Sequence, residues 1–465
     1  MTDTAAPVVT ALTAALGGRV DTDPDALDAA RRDRSGHAAA HPPLAVVRAE
    51  TVDDVRATMR IASETATPVV TQGALTGLAG AANAGRGEIA LSVARMDRIL
   101  EVSADDQLAV VEPGILNADL NDHLAAHGLW WAPDPASREI STVGGNIATG
   151  AGGLLCAKYG VTRDAVLGVD VVLADGSLMR MGHRSVKGVT GLDLTSLMIG
   201  SEGTLGVIVG ATLKLRRTIA GEVCTLTATF PTVRDAAAAS AAVTAAGIQP
   251  AIMELMDATS LAAASAVLGL AAPTDGASQL TIQTDGPAAA AEAEAIAEVL
   301  RERSADVRLT RDRVEGEELL RIRRAMHPGM ASLGTTLIED VSVPRSRMAE
   351  MFDEIARVER AHDVRIPTVA HAGDGNLHPN FLFDGEEVPP AIWAAADDLF
   401  RAAVRLGGTL TGEHGIGVLK SRWLEEELGE AQWRLQRDIK RVFDPRGLLN
   451  PGKVFGPRDE PHRQA

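Results

Sequence analysis

Two glycine-rich stretches near the end of this chain carry residues that can bind a metal ion or transfer a proton. Residues 369–380 read VAHAGDGNLHPN, and residues 412–417 read GEHGIG. Together they supply three histidines and one glutamate, namely His371, His378, Glu413 and His414. Polar groups of this kind surrounded by glycine are atypical of a packed core. We therefore interpret the two stretches as parts of one functional site.

The segment that contains the first two histidines predicts a β-hairpin. Apolar residues at 365–369 and 377–383 indicate two strands, and Gly373–Asn376 supplies the turn. On one straight strand, residues seven apart would point to opposite faces, whereas a hairpin can bring both imidazoles side by side. With Glu413, the pair His371 and His378 then forms a two-histidine, one-carboxylate set for a divalent ion, which we expect to be Zn²⁺ or Mn²⁺.

Length and charge restrict the kind of protein. A chain of 465 residues is too long for one compact core, so two or more domains are expected. The net charge of −17 argues against a nucleic acid or an anionic membrane as the partner. Two cysteines form no disulfide framework, and the sequence shows neither a signal-peptide pattern nor an apolar run of about 20 residues. We expect a cytoplasmic protein without a transmembrane segment, which can at most dock peripherally on a membrane.

Three further glycine-rich stretches lie in the first half of the chain. Residues 73–80, which follow a short apolar strand, are small enough to let backbone amides approach a phosphate. This loop is neither a Walker loop nor a dinucleotide fingerprint, and a plain glycine-rich turn explains it equally well on its own. Residues 141–153 and 200–208 add more glycine flanked by Ser, Thr and Asn, as expected for a long ligand that lies along the backbone.

The composition changes after Arg217. From Glu222 to about Pro367 the glycine motifs stop, and strands alternate with alanine-rich helices. The strands are predicted at 224–230 and 280–284, and the helices at 233–246 and 288–301. This alternation predicts a second, α+β domain with antiparallel pairing.

Taken together, these stretches resemble the FAD flavoproteins of the vanillyl-alcohol-oxidase type. Within them the chain is similar to the branch that contains D-lactate dehydrogenase, D-2-hydroxyglutarate dehydrogenase and the FAD subunit of glycolate oxidase. The resemblance covers roughly residues 40–455. It depends on the order of four motifs, 73–80, 133–135 with 141–153, 200–208 and the histidine set, together with the ending 450–453.

The resemblance implies the fold and the domain order. The fold class is α+β, with a two-subdomain FAD-binding domain of the PCMH type and an α+β cap domain that contains an antiparallel sheet. The FAD-binding domain would span residues 1–218, with its core at about 40–218, and the cap domain residues 219–414. The C-terminal segment, 415–465, would return to the FAD-binding domain.

The resemblance also implies how FAD is held. The pyrophosphate would lie on loops 73–77 and 141–146, and the link would be non-covalent because the first loop contains no histidine or cysteine. The chain departs from the family pattern at Leu75, where a glycine is usual, and at Gln72, where an arginine is frequent. The cofactor-binding residues it implies are Gly73, Ala74, Leu75, Thr76, Gly77, Pro133, Asp134, Ser137, Ser141, Thr142, Gly144, Gly145, Asn146, Gly150, Gly152, Tyr159, Glu202, Gly203, Ile208 and Asn450.

The activity implied is FAD-dependent oxidation of a small 2-hydroxy acid, of the D-lactate or glycolate type, to the 2-oxo acid. We expect Arg323 to hold the substrate carboxylate, because a guanidinium matches a carboxylate bidentately. His414 is our candidate base, and Asn376 and His327 are further candidates for the substrate side. The 2-hydroxyglutarate relatives have a lysine near Ile338 that is missing here, which weakens that substrate.

Three other interpretations stay open from the sequence. The same fold could serve a flavin transferase of the alkyl-dihydroxyacetonephosphate-synthase type, which catalyses no net oxidation. A metallohydrolase could use the histidine set to activate water, with the glycine loops purely structural. A flavin-binding electron-transfer subunit would have no substrate of its own. The electron acceptor could be oxygen, a quinone, a cytochrome or a partner subunit, and a homodimer is compatible with the sequence.

Overall fold

The computed structural model describes residues 5–271, 276–304, 306–385 and 387–456. The chain folds into two compact units. The first unit contains residues up to 152, residues 160–218 and the chain from 413 onwards. The second unit contains the short segment 153–159 and residues 219–412.

The first unit begins with a small, mainly parallel sheet. Its order is β1-β2-β4-β3, with β2, β4 and β3 parallel and β1 antiparallel to β2. Asp23 caps α2 and Pro24 begins it. Helix α3 begins with a capping box between Thr51 and Asp54. The elements are α1 Ala5–Leu16, β1 Val20–Asp21, α2 Pro24–Ala29, β2 Ala45–Arg48, α3 Val52–Thr65, β3 Val69–Gln72 and β4 Ile89–Ser92.

A five-stranded antiparallel sheet forms the second layer of the same unit, in the order β5-β6-β10-β8-β9. Its core contains the buried Trp131, whose Nε1 donates to the Ala165 carbonyl at 3.0 Å. The strands are β5 Ile99–Ser103, β6 Leu108–Val111, β7 Leu129–Trp130, β8 Val166–Val172, β9 Leu178–Gly182, β10 Val207–Lys214 and β11 Arg216–Arg217. The helices are α4 Asn117–Ala125, α5 Val143–Thr149, α7 Leu194–Met198 and α15 Ser421–Phe443, while α6 Cys156–Tyr159 belongs to the second unit.

An eight-stranded sheet forms the second unit. The path is β15-β12-β14-β13-β18-β19-β16, with β17 also paired to β19, and every pair is antiparallel, as predicted. The strands are β12 Glu222–Phe230, β13 Ile252–Met256, β14 Ser278–Gly286, β15 Asp306–Thr310, β16 Thr335–Ile338, β17 Val341–Ser342, β18 Thr368–His371 and β19 Asn376–Phe383. The helices are α8 Val233–Ala245, α9 Ala258–Val267, α10 Ala289–Arg301, α11 Arg313–Arg324, α12 Met326–Leu333, α13 Met348–His362 and α14 Pro390–Arg405.

Helix α14 shows why the helices of the second unit form where they do. Its buried positions include Ile392, Ala396, Leu399 and Ala403, which recur at three- and four-residue spacing along one face. Pro390 begins the helix at a position where a missing amide hydrogen costs nothing. Across the described ranges, no helix is long and apolar enough to span a bilayer.

The predicted hairpin is confirmed, with one shift. The first strand begins at Thr368 rather than at Arg365, because Pro367 has no amide hydrogen for the ladder and Arg365 pairs with Leu382 only through an isolated bridge. The turn that follows needs glycine at one position. Gly375 has φ +91°, and a Cβ atom there would overlap the carbonyl oxygen of Val343.

We expect Gly375→Ala to destabilise the hairpin strongly. Left-handed strain alone costs about 1–2 kcal/mol, and the overlap with the Val343 backbone adds to it. The matched control is Gly247→Ala, because Gly247 has φ +78° but open space around it. Thermal unfolding of both variants should show a clearly larger drop for Gly375→Ala. Equal drops would contradict the contribution of the close contact.

Candidate active site

The hairpin brings the first two predicted metal ligands together. Val369 lies opposite His378 and His371 opposite Asn376, so the two histidines are diagonal neighbours across the strands. Their ring centroids are 5.0 Å apart in an edge-to-face arrangement. Both side chains are buried. The predicted juxtaposition of the two imidazoles is therefore confirmed.

A buried carboxylate holds one of these histidines from the neighbouring strand. Glu254 lies directly opposite His371 in the register of β13 and β18. His371 Nδ1 is 2.7 Å from Glu254 Oε1, and Arg323 Nε donates to Glu254 Oε2 at 2.7 Å. Burial raises the pKa of Glu254, but the His371 and Arg323 side chains outweigh this and keep its pKa below the ordinary value. Glu254 is therefore a charged acceptor with two fixed donors.

Glu254 was not among the residues predicted from the sequence, although the sequence does carry a signal. It is the only charged residue in the apolar run of β13, Ile252–Met256, and all five positions of that strand are buried. Charged side chains are almost never fully buried unless they are paired. A lone glutamate in such a strand therefore indicates a buried partner, which the pattern alone does not name.

The third predicted ligand follows the last residue of the second unit directly in the chain. One ligand atom each of His371, His378 and Glu413 lie within 4.8 Å of one another. Two nitrogen donors and one carboxylate oxygen suit Zn²⁺ or Mn²⁺ and would leave coordination positions open. The residues present therefore fit a divalent ion.

A second buried carboxylate fixes the chain just before Glu413. Asp340, which is fully buried, accepts hydrogen bonds from the Thr411 hydroxyl at 2.8 Å and from the Gly412 amide at 2.6 Å. Gly412 has no room for a side chain, because a Cβ atom there would overlap the Asn376 side chain. These contacts fix the last residues of the second unit, directly before Glu413 in the chain.

Within the first unit, Glu413 and the candidate base His414 lie close together. His414 Nε2 is 3.6 Å from Glu413 Oε1, and both side chains are about one seventh exposed, at 14% and 15%. Gly152 also lies against Glu413, while its predicted contact with FAD stays a prediction. A Cβ atom on Gly152 would come within 2.6 Å of Glu413 Oε2, so its lack of a side chain makes room for that carboxylate.

Glu202 holds the turn that follows His414. Its carboxylate accepts the amides of Ile416 at 2.7 Å and Gly417 at 2.8 Å, and its own backbone has a left-handed φ of +50°. Burial raises the pKa of Glu202 to about 7, against the lowering effect of the two amides. A non-glycine residue with this backbone conformation is uncommon, and such strain clusters at functional sites.

Asn450 ties three pieces of the first unit together. Its Oδ1 accepts the Thr71 amide at 3.0 Å, and its Nδ2 donates to the carbonyls of Glu202 at 2.8 Å and Ala81 at 3.3 Å. Asn450 therefore positions both ends of the first glycine loop. The neighbouring Gly203 leaves room for it, because a Cβ atom there would lie 2.8 Å from the Asn450 side chain.

The first glycine loop has the features of an anion cradle. Within the described chain, none of the amides of residues 73–77 donates a hydrogen bond, and the buried Thr71 hydroxyl has no partner either. Gly73 packs against the second loop, since a Cβ atom there would lie 2.7 Å from Thr142 Oγ1. Leu75 adopts φ +56°, a left-handed backbone conformation that favours glycine.

The second glycine loop uses its amides internally. The amides of Val143 and Gly144 donate to the carbonyls of Ile115 and Pro113, and those of Gly145 and Asn146 donate to Thr142. This loop would instead contact a ligand through its side chains. Ser141 Oγ and Asn146 Nδ2 are buried and have no hydrogen-bond partner in the described chain. Two orphaned polar groups beside a glycine cradle fit a bound FAD.

The remaining cofactor candidates have mostly structural contacts. The Pro133 carbonyl accepts Asn117 Nδ2 at 2.9 Å, and the Ser137 carbonyl accepts two amides of the same turn. Gly150 ends α5 with φ +72°, and Ile208 is buried in β10. Asp134 belongs to the same first unit.

Tyr159 lies in the second unit, where its hydroxyl donates to Asp285 Oδ2 at 2.6 Å. Their contacts to FAD stay predictions.

The substrate-side candidates all lie in the second unit, and they differ in exposure. Asn376 is buried, and its Oδ1 accepts no hydrogen bond from a described residue. Asp374 accepts the Asn376 amide at 3.2 Å and so stabilises the turn. His327 is exposed on α12, so it is not a packing residue. Arg323 is buried at the end of α11.

Comparisons with known proteins agree with this architecture. Residues 220–454 match the family model "FAD linked oxidases, C-terminal domain", and residues 43–182 match "FAD binding domain". The glycolate oxidase subunit GlcD of Bacillus subtilis is 37% identical over 419 residues, which are 89% of each chain. The chain belongs to the family of FAD-linked oxidases. It is an FAD-linked oxidoreductase, as the resemblance implied.

Two further proteins widen the comparison. The D-lactate dehydrogenase of Archaeoglobus fulgidus is 35% identical over 411 residues, which cover 88% of this chain and 90% of that protein. The crystal structure of p-cresol methylhydroxylase has a TM-score of 0.80 at 17% identity and covers 99% of this chain and 98% of its own. At that identity the likeness concerns the fold alone. It confirms the predicted α+β class, with a PCMH-type FAD-binding domain and an antiparallel sheet in the second domain.

The raised pKa of Glu202 predicts a pH-dependent stability. The unfolded chain releases this proton near pH 4.5, whereas the folded protein keeps it until about pH 7. Between these values the unfolded chain binds fewer protons, so the free energy of unfolding falls as pH rises, by about 3 kcal/mol in all. Glu202→Gln lacks this titration. Unfolding of both proteins at pH 4.5–7 should show wild-type stability falling relative to the variant, and a flat difference would contradict the assignment.

Proposed function

We propose that this enzyme oxidises a small 2-hydroxy acid, of the D-lactate or glycolate type, to the 2-oxo acid. The observation that carries the proposal is the buried cluster of Glu254, Arg323 and His371, in which an arginine suited to a carboxylate shares one acceptor with a metal-ligating histidine. The printed names of the relatives, a glycolate oxidase subunit and a D-lactate dehydrogenase, support the same class of substrate.

FAD would be held without a covalent bond. Loop 73–77 would offer its backbone amides, and Ser141 and Asn146 would offer side chains. No residue of that first loop has a nucleophilic imidazole or thiol. The flavin, when bound, supplies a hydride acceptor at its N5 atom. We divide the chain accordingly into an FAD-binding domain at 1–218, a cap domain at 219–414 and a returning segment at 415–465, of which residues 457–465 lie outside the described chain.

His371, His378 and Glu413 would hold a divalent ion, Zn²⁺ or Mn²⁺. Such an ion lowers the pKa of a hydroxyl bound to it, as it does for water. The hydrogen bond from Nδ1 of His371 to Glu254 leaves its Nε2 as the ligand atom. The three ligands of this chain would place the substrate hydroxyl and leave its carboxylate free for a second contact.

Arg323 would supply that second contact. Its Nε is engaged by Glu254, and its terminal nitrogens donate to no described residue. A guanidinium whose Nε edge is fixed presents its terminal pair of N–H groups in a set direction, which matches a carboxylate bidentately. Asn376, through its unused Oδ1 or its amide nitrogen, and His327 are further candidates for the substrate side.

His414 would accept the hydroxyl proton. It follows the ligand Glu413 directly, and the turn after it is held by Glu202. A histidine within hydrogen-bond reach of the reacting hydroxyl is the side chain most often used for this task. The proton then lies on the imidazole and leaves to solvent or to the next group when the product departs.

Two alternatives are less well supported. In a metallohydrolase, the unbonded amides of loop 73–77 and the orphaned Ser141 and Asn146 side chains would have no ligand to bind. A non-redox flavin transferase needs no metal set beside a carboxylate clamp.

We infer a cytoplasmic enzyme, if anything peripheral to a membrane, whose electron acceptor is a quinone, a cytochrome, a partner subunit or oxygen.

The decisive experiment is an anaerobic screen of 2-hydroxy acids. The purified flavoprotein would be mixed with both enantiomers of lactate, with glycolate and with 2-hydroxyglutarate, with and without added Zn²⁺ or Mn²⁺. We expect D-lactate or glycolate to bleach the flavin absorbance and 2-hydroxyglutarate to act poorly. A flavoprotein that none of these acids reduces under any metal condition would contradict the proposed function.

Changing the candidate base should separate binding from chemistry. We expect His414→Ala to keep FAD but to lose flavin reduction by at least about 100-fold, the usual contribution of a general base. The matched control is His362→Ala, because His362 pairs with Asp398 on the second unit and lies in none of the proposed contacts. Stopped-flow bleaching measures both. Normal reduction in His414→Ala would contradict the assignment.

Removing the metal ligands should remove metal and activity together. We expect His371→Ala to bind no Zn²⁺ or Mn²⁺ and to show no reduction by substrate, because two ligands hold an ion weakly. Chelation of the wild type should give the same loss, and the added ion should restore it in the wild type only. Metal content by elemental analysis checks the first part. Full activity of the variant and of the chelated protein would rule out the metal.

A further inference from the structure

We propose that Glu254 is a positioning residue that couples the substrate clamp to the metal site. One carboxylate oxygen faces Arg323 Nε and the other faces His371 Nδ1, each at 2.7 Å. The inference rests on the proposed function, since it assigns Glu254 a task for that substrate and that ion. The two groups that should hold the substrate at its two ends are thereby fixed to one rigid point.

Burial makes this shared acceptor rigid. The Glu254 side chain is 1% exposed and that of Arg323 10% exposed, so water cannot replace either bond. A charged acceptor in such a place is strongly bound to its donors, because an unpaired buried charge is very unfavourable. Strand β13 fixes the backbone of Glu254 directly opposite that of His371. The carboxylate therefore cannot turn towards one donor without losing the other.

On the metal side, the contact selects one tautomer of His371. An ionised carboxylate only accepts, so the proton of the neutral ring must be on Nδ1, and the lone pair is on Nε2. The same hydrogen bond fixes the ring plane and makes Nε2 a better donor to a metal ion. His378 lies opposite Val369 in the register of β18 and β19.

On the substrate side, the contact sets the direction of the guanidinium. The group is planar, so fixing the Nε–H bond fixes the terminal nitrogens as well. Arg323 comes near the C-terminal end of helix α11, where its neighbours Arg321 and Arg324 pair with Glu318 and Glu317. The three neighbouring arginines therefore have different partners, and among them only Arg323 is linked through Glu254 to His371.

A purely structural ion pair would behave differently from a coupling residue. Its removal would lower stability but would leave the intrinsic metal affinity and the KM of the folded enzyme unchanged. A coupling residue changes both quantities, because it acts on a ligand of the ion and on the clamp of the substrate. The two measurements, made on folded protein, therefore distinguish the alternatives.

The test compares Glu254→Gln with Asp257→Asn in the FAD-loaded, metal-stripped enzyme. Asp257 is a partly buried residue just after β13 that accepts the amides of Ser260 and Thr368 and, within the described residues, makes no hydrogen bond to Arg323 or His371. Calorimetric titration with Zn²⁺ and Mn²⁺ measures metal affinity without any turnover. We expect Glu254→Gln to lose about 10- to 100-fold in affinity, as for other residues that orient a metal-ligating histidine, and Asp257→Asn to lose none.

Substrate kinetics at saturating metal complete the test. We expect KM for the hydroxy acid to rise at least about 10-fold in Glu254→Gln, beyond any change in kcat, since the clamp loses its direction. If this variant does not fold, Glu254→Asp keeps the charge but is too short for both donors and should show the same two losses. Wild-type metal affinity and KM in either folded variant would overturn the inference.

Failure of the inference and failure of the proposed function have different signatures. If the wild-type enzyme binds neither ion and no hydroxy acid reduces its flavin, the proposed function is wrong whatever Glu254 does. If the wild type binds metal and is reduced while the Glu254 variants match it, only the coupling role is wrong.

Discussion

The site depends on one buried negative charge. Glu254 stands in a strand whose five positions are all inaccessible, so its carboxylate is stable there only with two donors in contact. Those donors are the arginine and the histidine that the proposed chemistry needs. The requirement to satisfy a buried charge therefore fixes the geometry of groups that come from three separate segments of the chain.

Two other buried carboxylates position the chain around Glu413 and His414. Asp340 holds the residues before them, within the second unit, and Glu202 holds the residues after them, within the first. Backbone amides are donors in both cases, and Asp340 also accepts the Thr411 hydroxyl. Glycine at 412, 415 and 417 leaves room for the Asn376 side chain, the Glu202 carboxylate and the Ala79 backbone, respectively. In that arrangement the backbone of Glu202 adopts a left-handed conformation, which is unfavourable for a residue with a side chain.

Much of this could be predicted from the sequence, and the reasons for the rest are physical. Local patterns identified the histidine hairpin and the antiparallel second sheet, because each depends on neighbours in the chain. The pairing of β13 with β18 joins residues more than a hundred positions apart, and no local pattern specifies it. Glu254 was missed for that reason. The use of the amides of residues 143–146 inside their own unit was also unforeseen, since glycine content shows where a backbone can approach but not what it meets.

The charges of the site bear on which acids it can hold. A chain with a net charge of −17 repels an anionic substrate at long range, but that repulsion is screened beyond about 8–10 Å at physiological salt. Contact charges decide the affinity instead. Among the groups proposed to touch ion or substrate, Arg323 and a divalent ion outweigh Glu254 and Glu413 by one positive charge, which one carboxylate neutralises. A second carboxylate would need a further cation, which the proposed contacts do not include. Electrostatic balance therefore favours a monocarboxylate over a dicarboxylate.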